Sequence, residues 1–301
     1  MSLEQTRNGS FKLDGVVALL LTPFENDGAI AWDSYDRYVE WQAAQQPNGL
    51  FAVCGSSEMK WLNFEERIEL AKRAVAHANG VPVVATANLE EDPSKHRDEL
   101  LRMAETGISA AVLIPPPSVS GERERYREYL FAMAEASPCP VMLYEWPQMP
   151  NYILDSELYG ELAGAGAFVG IKDTTCTVEG IRAKQERTAQ ATIFQANTAF
   201  LPDAIELGVG GYMAITSTAH ADLAVAYWRA AHSDDTARAE VLHRELVNLD
   251  ALLCLAYPLT AKYLVAQRGI DMPITSRWPV QIRPHHLRML EVWQRGLAQI
   301  L

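Results

Sequence analysis

Seven lysines occur in this chain, and Lys172 is the one embedded in an apolar run, residues 168–173 (FVGIKD). An ammonium ion in a buried strand is costly to desolvate, so its pKa should fall toward neutrality. A neutral amine can attack a carbonyl carbon and form a Schiff base. An ion pair with a nearby carboxylate and a clamp on a phosphate are the other readings. A second apolar run ends in Tyr144-Glu145-Trp146-Pro147. Tyr144 either carries a proton, if a partner tunes its hydroxyl, or fills the interior with that hydroxyl satisfied. A third run ends in Cys54-Gly55-Ser56-Ser57-Glu58. Its N–H groups and serine hydroxyls either face an anion or form an ordinary turn.

Other chemistry-bearing residues point less sharply. Asp173 would orient Lys172 or cap the following helix. The seven histidines contain no HExxH pair, and His285-His286 should face solvent. Residues 122–128 (ERERYRE) read as a solvated helix face. Cys54, Cys139, Cys176 and Cys254 are too widely spaced for a zinc or thioredoxin-like motif and read as small buried side chains. No metal and no cofactor is expected from these patterns.

The elements that must hold these residues follow a regular rhythm. Apolar runs at 16–21, 49–54, 81–86, 110–115, 140–145, 168–173, 192–197 and 210–216 read as strands buried on both faces. Helical patterns lie between them, at 64–79, 94–105, 122–136, 155–163, 178–188 and 198–207. The clearest carries Ile68, Leu70, Ala71, Val75 and Ala78 as its stripe, with Asn63 as N-cap. Gly80, Gly107 and Gly208 fall where helices should stop. Eight strands alternating with helices predict a closed α/β (β/α)8 TIM barrel over residues 1–220. An open doubly wound sheet should carry a GxGxxG turn after its first strand, and none occurs. Residues 221–301 read as a C-terminal helical extension of the same globular unit. In such barrels chemistry sits at the C-terminal ends of the strands, where all three clusters fall.

Composition bounds the class. Apolar residues make up 49% and charged residues 21% of the 301, which is ordinary globular composition. The formal charge of −12 argues against nucleic acid or an anionic membrane as partner, but leaves an anionic small substrate open. The first ten residues are polar and lack a signal-peptide core, no apolar run reaches membrane-spanning length, and the scattered cysteines suit a reducing cytoplasm.

Taken together, these residues resemble the dihydrodipicolinate synthase / N-acetylneuraminate lyase family. The resemblance begins at Leu21-Thr22-Pro23-Phe24 and Asp27-Gly28, and passes through the strand-two loop ending in Glu58. It continues with Glu65 and Glu66, Tyr144 with Pro147, and Lys172. The 28-residue step from Tyr144 to Lys172 fits that family's spacing of tyrosine and Schiff-base lysine. The resemblance implies a homo-oligomer, tetramer or dimer, working without metal on a 2-oxo acid and an aldehyde. Lys172 would condense with the 2-oxo acid, Tyr144 would shuttle protons, and Ser56 and Ser57 would bind the substrate carboxylate.

Three positions depart from the pattern. Gly55 stands where the family's first loop threonine would supply a relay hydroxyl. Ser118, in Pro115-Pro116-Pro117-Ser118, stands near the place of a relay tyrosine. Gln148-Met149-Pro150 follows Pro147 without the synthase's carboxylate-binding arginine. Trp146 narrows the pocket, stacks on a substrate, or packs at the barrel rim. The reading is a Schiff-base aldolase or dehydratase. The alternatives are a non-catalytic oxo-acid or sugar-acid binding protein on the same barrel, or dihydrodipicolinate synthase itself. A phosphate-binding aldolase barrel fits less well, because Gly208, Gly210 and Gly211 precede strand eight rather than follow it.

Overall fold

The computed structural model describes residues 11–188 and 190–300. The polar opening decapeptide lies outside the described residues. Eight parallel strands close a barrel in sequence order: β1 (Gly15–Leu19), β2 (Gly49–Ala52), β3 (Val83–Thr86), β4 (Ala110–Leu113), β5 (Val141–Tyr144), β6 (Gly170–Asp173), β7 (Thr192–Gln195) and β8 (Gly211–Tyr212). Pairing of Gly15 with Gly211 joins β8 to β1. Each strand is shorter than its apolar run. Residues past the last ladder bond stay buried but leave the ladder to form the rim, as Val53 and Cys54 do after β2. Gly211 lies inside β8 rather than before it, paired with Gly15 and Phe194, and a Cβ there would fall 2.2 Å from the Phe194 ring.

Helices alternate with strands and form the outer layer. Asn63 caps helix Phe64–His77, its Oδ1 accepting from Glu66 N at 3.0 Å while its own N–H donates to Glu66 Oε2 at 2.9 Å. The buried face of that helix is Arg67, Leu70, Ala71 and Ala74; Ile68 and Val75 are only half-buried. The apolar stripe is therefore rotated toward Arg67, whose charge is matched by Glu90 and Glu99. Gly80, Gly107 and Gly208 adopt φ near +85° just past their helices, a left-handed conformation that costs glycine little.

Past β8 come helices Ala221–Ala231, Thr236–Leu253, Leu259–Gln267 and Pro284–Leu297. The first packs on β1, and the last packs on Thr236–Leu253 with Trp293 Nε1 donating to Glu245 at 3.1 Å. No helix among the described residues is long and apolar enough to cross a membrane. Cys54 is buried and Cys139 half-buried, but Cys176 and Cys254 are exposed, so the expectation of four buried thiols fails for the last two.

Candidate active site

β5 and β6 are neighbours in register, with Tyr144 opposite Lys172. Side chains alternate along a strand, so Lys172 and Asp173 must face opposite ways. Lys172 faces the lumen. Its Nζ lies 4.4 Å from the centroid of the Tyr144 ring and 5.6 Å from that of Phe51. Phe51 belongs to β2, which a side chain on β6 can meet only across the barrel interior. Among the described residues no carboxylate comes within ion-pair distance of Lys172. Burial at 4% exposure pushes its pKa down to about 8, against a small opposing effect of Cys54. At pH 7 roughly a tenth of the amines are therefore unprotonated, about 300-fold more than for an ordinary lysine.

Tyr144 is buried, with its ring edge-on to Phe51 at 5.9 Å. Burial raises its hydroxyl pKa well above the usual range, so it is a phenol O–H at neutral pH. No hydrogen bond to that hydroxyl is found among the described residues. A Cβ on Gly55 would lie 3.3 Å from Tyr144 Oη and 3.3 Å from Trp146 Nε1. The indole of Trp146 thus lies beside the β2 loop, against the space that a side chain at position 55 would enter. Trp146 is 4% exposed, so it is inside the site's wall rather than on the outer rim.

The β2 loop makes a 3-10 turn at Gly55–Ser57, with left-handed residues Val53 before it and Glu58 after it, and a second 3-10 turn at Met59–Trp61. Its two serines have different surroundings. Ser57 Oγ donates to Leu20 O at 2.6 Å and accepts from Cys54 N at 3.1 Å, while Ser57 O accepts from Thr22 Oγ1 at 2.8 Å. That hydroxyl is committed to backbone. Ser56 Oγ closes no hydrogen bond of ordinary geometry among the described residues. Glu58 anchors the loop from the other side, accepting from Lys262 Nζ at 2.6 Å, Ser276 Oγ at 2.7 Å, Arg277 N at 2.8 Å and Trp278 N at 2.9 Å.

Asp173 faces outward and neither orients Lys172 nor caps the next helix; Thr177 caps it instead. Its carboxylate accepts from Lys184 Nζ at 2.7 Å and from Gln195 Nε2 at 2.9 Å. Glu145 also pairs with Lys184, and it accepts from Leu154 N at 2.8 Å and Thr174 N at 3.0 Å. Burial pushes the Glu145 pKa up to about 7, against the pull of Lys184. This buried cluster fixes the loop that starts with Trp146 at both ends.

The structure thus brings Lys172, Tyr144, Ser56 and Ser57 to one end of the barrel. Ser118 is exposed on the short turn Pro117–Ser120, and Gln148 is exposed as well. His285 is exposed, with His286 stacked edge-on against it. Lys184 and Lys262, both buried, escaped the sequence reading. The available signal was Glu145 and Asp173: two carboxylates at the ends of buried strands require a cation.

A family model described as the Dihydrodipicolinate synthetase family matches residues 12–289. A curated 4-hydroxy-tetrahydrodipicolinate synthase of Teredinibacter turnerae is 27% identical over 271 residues, 87% of this chain and 92% of that protein. The enzyme of the same name from Mesorhizobium japonicum is 29% identical over 268 residues, 85% of this chain and 89% of its own. Among solved structures, YagE, a prophage protein of the dihydrodipicolinic acid synthase family from E. coli K12, superimposes with a TM-score of 0.87 at 21% identity. The match covers 95% of this chain and 98% of that one.

Proposed function

This chain belongs to the dihydrodipicolinate synthetase family, and from that premise we propose that it is a Schiff-base-forming lyase, an aldolase or dehydratase, acting on a 2-oxo acid. The observation that carries the proposal is Lys172: a buried amine without a carboxylate partner among the described residues, lowered to about 8, beside the ring of Tyr144. The other two buried lysines, Lys184 and Lys262, are ion-paired.

In this reading the free Lys172 amine adds to the C2 carbonyl of the substrate. Tyr144 protonates the carbinolamine oxygen, which leaves as water, and an iminium forms. The iminium accepts the electron pair of a breaking bond at the adjacent carbon, yielding an enamine. Reprotonation and hydrolysis release the product and regenerate the amine. Ser56 and the N–H groups at the start of the Gly55–Ser57 turn would hold the substrate carboxylate, while Ser57 keeps that turn in shape. The carboxylate-binding arginine of the synthase pattern is missing here: Gln148-Met149-Pro150 stands in its place. This favours a second substrate without a carboxylate at that point and argues against dihydrodipicolinate synthase itself.

A reducing cytoplasm suits the free, exposed Cys176 and Cys254. Exposed Met289 and Val292 on helix Pro284–Leu297 favour self-association as a dimer or tetramer.

Borohydride reduction in the presence of pyruvate and a panel of larger 2-oxo acids tests the chemistry by mass spectrometry. A stable adduct on Lys172, lost in Lys172→Met, is expected. Ligand-induced thermal stabilisation with no adduct from any member of the panel would instead identify a non-catalytic binding protein.

A further inference from the structure

The last side chain to reach this site comes from the far end of the chain. Tyr257 follows helix Thr236–Leu253, and its hydroxyl is buried yet has no hydrogen-bond partner among the described residues. It lies within reach of the hydroxyls of Ser56 and Thr218 without closing a bond of ordinary geometry with either. Thr218 Oγ1 already gives its proton to Ile215 O at 2.6 Å. Ser56 Oγ is uncommitted. The Tyr257 hydroxyl, from the segment between helices Thr236–Leu253 and Leu259–Gln267, therefore faces the uncommitted Ser56 hydroxyl of the β2 loop. A buried polar group without a partner is rare in a folded protein and calls for a missing acceptor.

We infer that Tyr257 is a substrate-binding residue whose hydroxyl, together with Ser56, donates to the carboxylate of the 2-oxo acid; this rests on the reading of the site proposed above. The charge pattern around the loop explains why such donors are needed. Lys262 is neutralised by Glu58, Arg277 by Glu66, and Lys184 by Glu145 and Asp173. With these cations engaged, and with Lys172 reserved for the carbonyl, the hydrogen bonds that the loop gives a carboxylate come from neutral dipoles, and each hydrogen bond to an ionised group counts heavily. Burial holds the Tyr257 hydroxyl far above its ordinary pKa, so it remains a donor across the working pH range.

The test is Tyr257→Phe, which removes only an oxygen that bonds nothing and so should leave the thermal midpoint without ligand unchanged. Wild type and variant are titrated with pyruvate in two ways: by the rate of borohydride trapping, and by thermal shift without borohydride. The half-saturating pyruvate concentration is expected to rise about tenfold or more in Tyr257→Phe, with the maximal trapping rate unchanged. Acetone, which lacks the carboxylate, should distinguish the two proteins in neither assay. Equal half-saturation in both proteins overturns the Tyr257 assignment and leaves the Schiff-base reading standing. So does a fall in maximal rate at constant half-saturation, because the hydroxyl would then act on the chemistry. A pyruvate-induced thermal shift that the variant loses, with no adduct in wild type, overturns the Schiff-base reading and keeps the carboxylate role. No shift and no adduct in wild type overturns both.

Discussion

Replacing Lys172 with methionine should stabilise this protein while abolishing adduct formation. The cause is desolvation of the amine by burial. In the unfolded chain Lys172 titrates near its ordinary value of 10.5; in the folded state it titrates near 8. The folded protein thus binds fewer protons between pH 8 and 10.5, and its stability rises with pH across that window. Below the window the buried ammonium is held at a cost. The fall from 10.5 to about 8 corresponds to about 3 kcal/mol at pH 7 and about 1 kcal/mol at pH 9.5. Methionine has a similar length, carries no charge, and can pack on the rings of Tyr144 and Phe51 that now face Nζ. Lys172→Met should therefore gain about 3 kcal/mol at pH 7, shrinking by about 2 kcal/mol at pH 9.5. Urea unfolding of both proteins at the two pH values measures this. A variant no more stable than wild type at pH 7 would refute the burial argument. A gain equal at both pH values would refute it too, because better packing does not depend on proton binding.

Three further outcomes are expected. Tyr144→Phe should slow borohydride trapping by about 10²- to 10⁴-fold with no loss of stability, since its hydroxyl bonds nothing among the described residues; trapping kinetics and thermal unfolding check the two halves. Lys184→Met strands Glu145 and Asp173 as buried carboxylates and should cost about 3–5 kcal/mol at pH 7. Because burial has already raised Glu145 to about 7, its neutral form is favoured as pH falls, so the loss should shrink toward pH 5 in urea titrations. Ser57→Ala, which breaks the bonds to Leu20 O and Cys54 N, should lower stability by about 1–2 kcal/mol, whereas Ser56→Ala should leave it unchanged.

How much of this could be read from the chain depends on how local each feature is. The barrel was legible because each strand is buried on both faces and so appears as an unbroken apolar run, and because the run count is eight. Lys172 was visible because a charge inside such a run has no local explanation. The strand ends were overestimated, since a buried rim residue looks the same in sequence as a residue in the ladder. The ion pairs were hidden for a different reason. Glu145 and Lys184 lie 39 positions apart, and Glu58 and Lys262 lie 204 apart. Pairing of β5 with β6 brings the first two together, packing of the C-terminal helices on the barrel brings the second two, and no periodicity encodes either. The different tasks of Ser56 and Ser57 were equally invisible, because one hydroxyl points at the Leu20 carbonyl and the other does not. Tyr257 gave no signal at all; its meaning comes from a loop two hundred residues earlier.

The anchoring of Glu58 has a consequence for biosynthesis. Its four partners all lie between Lys262 and Trp278. During translation all eight barrel strands have left the ribosome well before those residues do. Until they arrive, Glu58 is a carboxylate with nothing to hold it, and the turn carrying Ser56 lacks its outer support. A nascent chain stopped after β8 would contain Lys172 and Tyr144 yet lack every residue that anchors Glu58 below the Gly55–Ser57 turn.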